Sequence, residues 1–149
     1  MSKRCCYLGI DNGTQGLTVL LIDASTRQTV AVGEGSYGFS NSEAEQQLQY
    51  FEQICEDWDR ALREAFDQIR PQVDDVKVLA IGISGQMHGQ VLLDDAYEPI
   101  GPVRLWCDGR NEEEGHELTE AFQCKVPKRM TCARFLWTVR NRLTEARKT

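Results

Sequence analysis

The stretch Tyr7–Asp23 reads YLGIDNGTQGLTVLLID and decides how the fold begins. Its apolar segments, residues 5–10 and 17–22, predict two neighbouring β-strands. Between them lies the sequence DNGTQG at residues 11–16, which we call the polar turn. An ordinary hairpin needs only a turn pair such as Asn-Gly, so the additional carboxylate, hydroxyl and glycine need another explanation.

The composition is that of an ordinary globular protein. The chain has 149 residues, of which 41% are hydrophobic and 27% are charged, and this length is enough for one domain with a core. The net charge of −6 argues against a basic surface that binds nucleic acid, although local N–H groups can still hold a small anion. No segment resembles a membrane span or a signal peptide, so we expect a cytoplasmic protein with no membrane partner.

The cysteines and histidines give no sign of a structural metal site. The sequence contains six cysteines and two histidines, and none of them has the spacing of a zinc motif. Since no secretory signal favours disulfides, we expect reduced and mostly buried thiols.

The first half of the chain predicts a mixed sheet. Thr29–Tyr37 reads as a third strand, which completes an antiparallel meander. Apolar residues at helical spacing predict one long helix over Glu45–Ile69, ended by Pro71. The apolar segment Val76–Ser84 then predicts a strand that is buried on both faces and joined by a parallel crossover. The predicted class is therefore α/β, with a β-β-β-α-β start.

The second half predicts a hairpin followed by helices. Gln90–Leu93 and Gly101–Leu105 read as the two hairpin strands, and helices are expected over Asn111–Ala121 and Ala133–Ala146. No closing strand follows these helices, so we expect an incomplete sheet with apolar edges left uncovered.

Three polar segments fall at predicted strand ends or turns. They are the polar turn, residues 85–89 and residues 106–110. Ligands gather at the carboxyl ends of strands in sheets with parallel crossovers, so the three segments together predict one binding edge.

The polar turn has the groups that a metal–nucleotide needs. Gly13 and Gly16 allow positive φ and a close backbone approach, and Thr14 adds a hydroxyl donor to an N–H cradle for an anion. Asp11 fits beside a phosphate when a Mg²⁺ ion lies between them. The alternative is a plain hairpin turn in which Asp11 caps its own backbone.

The other two segments suit a ligand with many hydroxyls. Gln86 and His88 can each donate and accept hydrogen bonds, although a lone histidine after a strand is also common as a structural residue. Residues 106–110 contain three groups that suit such a ligand: the apolar ring of Trp106, a hydrogen-bond acceptor at Asp108 and a cation at Arg110. Their alternative is an Asp108 helix cap with a surface ion pair to Arg110.

Three motifs in this order resemble the FGGY carbohydrate kinases, and most closely their xylulokinase branch. They are GIDNGT at 9–14, GISGQMHG at 82–89 and LWCDGR at 105–110. The first motif is shared widely among actin-like, Hsp70-like and hexokinase-like proteins, whereas the second and third together are much more specific. The resemblance covers nearly the whole chain.

The resemblance implies an actin-like (ribonuclease H-like) ATPase fold of two lobes, with ATP and Mg²⁺ as cofactors. It implies transfer of the γ-phosphoryl group to a hydroxyl of a ketose or polyol, with a pentulose such as xylulose favoured. The implied phosphate loop is Asp11, Asn12, Gly13, Thr14 and Gln15, where Asp11 meets Mg²⁺ through water or phosphate. The implied sugar-binding residues are Gln86, Met87, His88, Trp106, Asp108 and Arg110.

The same resemblance predicts that residues 1–149 are the N-terminal part of the first lobe. The catalytic aspartate that acts as base is expected beyond residue 149, and the C-terminal lobe is expected to be absent. We therefore expect the chain alone to be catalytically inactive. A non-catalytic remnant that binds sugar or associates with another chain stays open, as does another actin-like ATPase. Both a monomer and a homodimer are compatible with the sequence.

Overall fold

The computed structural model describes residues 3–149 and divides them into two compact units. Met1 and Ser2, which belong to the predicted domain 1–149, lie outside the described residues. The first unit consists of the described residues up to Gly38 together with Glu56–Gln86. The second unit consists of Phe39–Cys55 together with Met87–Thr149.

The elements follow in chain order as β1 (Arg4–Asn12), β2 (Gly16–Asp23), β3 (Thr29–Ser36), α1 (Glu43–Gln47), β4 (Glu52–Gln53), α2 (Cys55–Ile69), a 3₁₀ turn (Arg70–Gln72), β5 (Val76–Gly85), β6 (Val103–Arg104), α3 (Glu112–Phe122), α4 (Thr131–Asn141) and α5 (Leu143–Ala146). Among residues 3–149, no helix combines the length and the apolar character that crossing a membrane requires.

The sheet of the first unit has the order β3-β2-β1-β5. β1, β2 and β3 pair antiparallel, which confirms the predicted meander. β5 pairs parallel with β1, which confirms the predicted crossover through α2. The register places Asn12 opposite Gly85, so β1 and β5 end at the same edge of the sheet.

One face of this sheet packs against α2. Leu8, Val19 and Leu21 point to that face because side chains alternate along a strand. On α2, Ala61 and Ala65 are fully buried, as the helical spacing requires. This apolar layer is the core of the first unit.

Small residues let α2 approach β3 closely. Gly33 and Gly35 face the backbone of α2, where a Cβ on Gly33 would lie 1.9 Å from the Ala65 carbonyl oxygen and one on Gly35 would lie 2.2 Å from that of Ala61. Real Cβ atoms do not approach so closely, so only glycine fits at both strand positions. The glycines therefore set the distance between the sheet and the crossover helix.

The prediction that the strand Val76–Ser84, observed as β5, is buried on both faces is wrong for the described residues. Ile81 is 59% exposed and Ile83 is 77% exposed, because the buried core of the first unit includes no residue of β5, the outer strand. The expectation of uncovered apolar edges is confirmed at this strand.

The predicted helix Glu45–Ile69 is two helices with an extended segment between them. The Ser42 side chain and Glu45 form a capping box that starts α1, and Gln49 has a φ of +60° just beyond its end. Phe51 then donates its backbone N–H to Asp108 Oδ2 at 3.0 Å. These tertiary bonds outweigh the helical spacing of the apolar residues.

The second half also differs in detail from its prediction. The predicted hairpin has only single bridges, Gln90 with Arg104 and Leu93 with Pro99, while β6 pairs antiparallel with β4. The predicted helix Ala133–Ala146 is divided into α4 and α5 at Arg142, whose φ of −135° and ψ of 52° are not helical. The thiols are less buried than expected, since Cys6 is buried but Cys5, Cys124 and Cys132 are exposed.

The interior of the second unit contains a network of charged side chains. Asp108 is 1% exposed and accepts hydrogen bonds from Arg104 at 2.8 Å and from Arg110 at 2.6 Å. Arg110 also donates to Glu52 at 2.5 Å. Burial raises the pKa of Asp108, but the hydrogen bonds from the two arginines outweigh it, so the pKa is lowered overall.

Aromatic rings cover the cations of this network. The guanidinium of Arg104 lies 4.3 Å and that of Arg110 lies 5.0 Å from the ring centre of Trp137. Arg110 also lies 4.7 Å from the ring centre of Tyr50. Cation–π attraction compensates part of the desolvation of these buried arginines.

Replacing Gly33 with alanine should destabilise the first unit. The added methyl would collide with the Ala65 carbonyl, and overpacking of this kind typically costs about 1–3 kcal/mol of unfolding free energy. Urea unfolding of Gly33→Ala measures the loss. The matched control is Gly82→Ala, another strand glycine whose Cβ would meet no atom within 4 Å. Equal stability of the two variants would contradict the close contact.

Replacing Asp108 with asparagine should destabilise the second unit and change its response to acid. Removing one partner of a buried ion pair typically costs about 3–5 kcal/mol. Because the folded pKa of Asp108 is lowered, its contribution is complete above the unfolded value near 4 and is lost as pH falls through the folded pKa.

Urea unfolding between pH 2 and 7 measures both effects. Wild type should lose stability as pH falls below about 4, and Asp108→Asn should lose less over that range. Asp95→Asn, which changes an exposed aspartate of the same unit, is the control. A parallel decline of Asp108→Asn and wild type would overturn the assignment.

Candidate functional site

The polar turn joins the ends of β1 and β2 through residues Gly13, Thr14 and Gln15. The Gly13 N–H donates to the Gly16 carbonyl at 2.9 Å, which closes the turn. Because β1 runs parallel to β5, this turn lies at the carboxyl end of both strands, as the sequence predicted.

The hydroxyl of Tyr37 supports the polar turn through several oxygen atoms of the turn. It lies within hydrogen-bond distance of Asn12 Oδ1, of the Gly13 carbonyl at 2.6 Å and of the Gly16 carbonyl at 2.9 Å. Burial, with a smaller contribution from the charge of Asp11, raises the pKa of Tyr37 to about 12, so the phenol keeps its proton at neutral pH. The sequence analysis did not predict a role for Tyr37. The only sign of it in the sequence is a tyrosine, with its polar hydroxyl, just after the third strand.

The glycines of the turn serve packing rather than unusual backbone angles. Neither Gly13 nor Gly16 has a positive φ, so that expectation is wrong. A Cβ on Gly16 would lie 2.8 Å from the Gly35 carbonyl oxygen, and one on Gly13 would lie 3.3 Å from that of Gly16. The absence of a side chain lets the turn fold tightly onto β3.

Asp11 lies exposed at the end of β1. Its register partners are Thr18 on β2 and Ser84 on β5, and the three residues line a shallow groove of about 480 Å³ on the sheet. Gly9 and Gly82 form part of its floor. No cluster of three or more acidic, cysteine or histidine side chains that could hold a metal occurs among residues 3–149.

This donor set fits a metal that arrives with a nucleotide. Mg²⁺ is commonly held by one or two carboxylates and completed by water and phosphate oxygens, rather than by a cage of protein ligands. A single exposed carboxylate, Asp11, beside two hydroxyl side chains meets that requirement. These residues would hold the ion, and the ion would neutralise phosphate charge.

Gln86 connects the end of β5 with the polar turn. Its Nε2 donates to the Gly13 carbonyl at 3.1 Å, and its Oε1 accepts from the Thr14 hydroxyl at 3.3 Å. The first unit therefore brings together residues that lie 72 and 73 positions apart in the sequence.

The second unit contains the remaining predicted site residues. Met87 is 74% exposed and Trp106 is 48% exposed, while His88 is half-buried and has a φ of +62°. Asp108 and Arg110 instead belong to the buried network described above. The alternative ion pair is thus present, but it is buried and not on the surface.

Arg134 is a second residue that sequence reasoning missed. It lies on α4, is 0% exposed and donates to the backbone carbonyls of His88, Arg129 and Trp106. The only signal in the sequence is a cation within the apolar face of a predicted helix. The structure therefore links the predicted segments around His88 and Trp106 inside the second unit.

Comparison with known proteins agrees with these motifs. Residues 6–138 match the FGGY family of carbohydrate kinases, N-terminal domain. Xylulose kinases are among the curated relatives: that of Haemophilus influenzae is 35% identical over 119 residues and that of Escherichia coli is 38% identical over 108 residues. These matches cover 76% and 72% of this chain but only 24% and 21% of the relatives' own lengths.

Solved structures show the same fold. A xyloylose kinase from Brucella ovis superposes with a TM-score of 0.85 at 30% identity and covers 96% of this chain and 31% of that chain. A glycerol kinase from Plasmodium falciparum, at 17% identity, superposes with a TM-score of 0.82 over 99% of this chain and 31% of its own. The described residues thus have the α/β, mixed-sheet architecture of the actin-like ATPase fold. With a family match over residues 6–138, the chain belongs to the FGGY family of carbohydrate kinases.

Proposed function

We propose that this chain supplies the phosphate loop and sugar-binding segments of an ATP-dependent sugar kinase whose acceptor is a pentulose such as xylulose. The observation that carries the proposal is a pair of hydrogen bonds, in which Gln86 donates to the Gly13 carbonyl and accepts from the Thr14 hydroxyl. They join the start of the predicted sugar segment to the predicted phosphate loop within the first unit. Phosphoryl transfer needs donor and acceptor positioned together, which such a link supports.

The phosphate loop in this proposal consists of Asp11, Asn12, Gly13, Thr14 and Gln15. Asp11 would hold Mg²⁺ through water or a phosphate oxygen, and the turn backbone would face the phosphates. Tyr37 supports this loop, because its hydroxyl lies within hydrogen-bond distance of the Gly13 and Gly16 carbonyl oxygens. Mg-ATP is the proposed phosphoryl donor, and the cytoplasm is the proposed location.

The sugar-binding segments consist of Gln86, Met87, His88, Trp106, Asp108 and Arg110. Met87 and Trp106 present exposed apolar surface, and the His88 imidazole can exchange hydrogen bonds with sugar hydroxyls. The charged groups of Asp108 and Arg110 already bind each other. In this proposal they therefore act indirectly, by fixing the shape of the segment that contains Trp106.

The relatives that share this domain support a class of sugar for this proposal. The curated relatives at 35% and 38% identity are named xylulose kinases, and more distant structures include gluconate and glycerol kinases. A ketose or polyol is therefore the supported class, and a pentulose is the specific proposal. The absence of any sugar affinity would instead favour another actin-like ATPase.

Replacing His88 with asparagine should weaken sugar binding. Asparagine tolerates the positive φ of this position, so the change removes the imidazole without new backbone strain. Loss of one sugar hydrogen bond is worth about 1.4 kcal/mol, or roughly 10-fold in dissociation constant. Calorimetric titration of the chain with D-xylulose, D-gluconate and glycerol measures it.

The control for this titration is His116→Asn, which changes the other histidine on an exposed position of α3. Wild type and His116→Asn should bind D-xylulose equally and more tightly than the other two compounds. A complete lack of binding heat in wild type, or equal affinity of His88→Asn, would refute the proposal.

Replacing Asp11 with asparagine should weaken binding of Mg-ATP specifically. Without the carboxylate the site loses its attraction for the cation, and we expect roughly a 10-fold weaker affinity for Mg-ATP but little change for ATP in EDTA. Fluorescence titration with a labelled ATP analogue measures both. Asp59→Asn, an exposed aspartate on α2, is the control. If Asp11→Asn retained Mg-ATP affinity, Asp11 would have no role at the metal.

A further inference from the structure

We infer that Arg134 is a positioning residue that fixes the backbone of His88 and of Trp106 relative to each other, and thereby sets the affinity for sugar. This inference rests on the proposed function, in which those two segments contact the sugar. No sequence motif of the site includes Arg134, which comes from a helix that contacts both segments from the protein interior.

The guanidinium of Arg134 is a bridge between separate parts of the second unit. Its Nη2 donates to the Trp106 carbonyl at 2.8 Å, and its Nη1 donates to the carbonyls of His88 and Arg129. The planar fork of arginine holds such donors at fixed angles. The two segments are therefore tied through one rigid group.

The two segments that Arg134 connects have little regular structure of their own. Met87, His88 and Gly89 belong to no helix or strand, and His88 has a φ of +62°. Trp106 lies in a turn that begins two residues after the end of β6. Because no strand ladder sets the direction of these two carbonyl groups, their bonds to Arg134 decide how each peptide is oriented.

The guanidinium of Arg134 donates to carbonyl groups and forms no direct ion pair among the described residues, although the nearby charge of Asp108 favours its charged form. Within residues 3–149, no carboxylate lies within ion-pair distance of its guanidinium, although the side chain is fully buried. Burial, and then the nearby charge of Arg104, lower the pKa of Arg134 to about 10, so it remains charged at neutral pH. Burying a cation costs free energy unless its N–H groups are hydrogen-bonded. The carbonyl groups that accept from Arg134 are therefore strongly constrained in position.

The backbone of Arg134 is itself anchored to the interior network. Arg104 donates to the Arg134 carbonyl at 3.2 Å, and the Thr138 hydroxyl donates to the same carbonyl at 3.0 Å. Arg104 in turn binds Asp108. The network that stabilises the second unit therefore also sets the place from which the guanidinium reaches the two segments.

The test compares Arg134→Lys with Arg140→Lys in the 149-residue chain. Lysine keeps the positive charge and most of the aliphatic stem but cannot reproduce the planar fork. Arg140 lies on the same helix, is partly exposed and pairs with Glu117 at 2.7 Å, so its replacement is a matched change away from the segments. Arg134→Gln, which keeps two N–H donors without the charge, is the second variant.

Histidine NMR gives a readout that stability alone would not move. The chain has two histidines: His88 reports on the segment, and His116 on α3 is an internal control. We expect Arg134→Lys to shift the His88 imidazole signals without shifting those of His116, and to weaken D-xylulose binding about 10-fold at a temperature where the variant is fully folded. Arg140→Lys should change neither.

The outcomes separate this inference from the proposed function. If wild type binds no D-xylulose, the proposed function fails, and the sugar-free spectra still decide whether Arg134 orients His88. If folded Arg134→Lys and Arg134→Gln keep the His88 signals and the sugar affinity of wild type, the inference is overturned. Unfolding of both variants at low temperature would also overturn it, since Arg134 would then serve global stability.

Discussion

The parallel pairing of β1 with β5 is the constraint on which the first unit depends. Its register sets Asn12 opposite Gly85, so the polar turn and Gln86 leave the sheet at one edge. Parallel neighbours require a crossover, and α2 provides it by packing closely over Gly33 and Gly35. The hydrogen bonds between Gln86 and the turn are a direct consequence of that register.

The two units are stabilised by different interactions. The first has a conventional apolar layer between a sheet and a helix, in which small residues control the spacing. The second contains buried arginines, an aspartate and a glutamate, with Trp137 covering the cations. Buried charges of this kind tolerate little rearrangement, because losing one partner leaves another charge unpaired in a medium of low polarity. Such an interior is suited to holding loops in a fixed shape.

This difference changes the interpretation of the third motif. Asp108 and Arg110 have the chemistry of sugar contacts, yet their charged groups point into the network and bind each other. Trp106, in the same motif, presents nearly half of its surface to solvent. The motif therefore combines an outward-facing residue with inward-facing residues that hold it, and Arg134 adds a connection to the His88 segment.

Sequence alone determined the family, the meander, the parallel crossover and the meeting of the polar turn with the end of β5. Each depends on local periodicity or on motifs that can be found along the chain. Only the tertiary structure decided that residues 48–54 leave the helix, that Gly16 serves packing, and that β5 is exposed. Tyr37 and Arg134 likewise became visible only in the fold, because their hydrogen bonds go to backbone carbonyls distant in sequence, and no side-chain pattern encodes such partners.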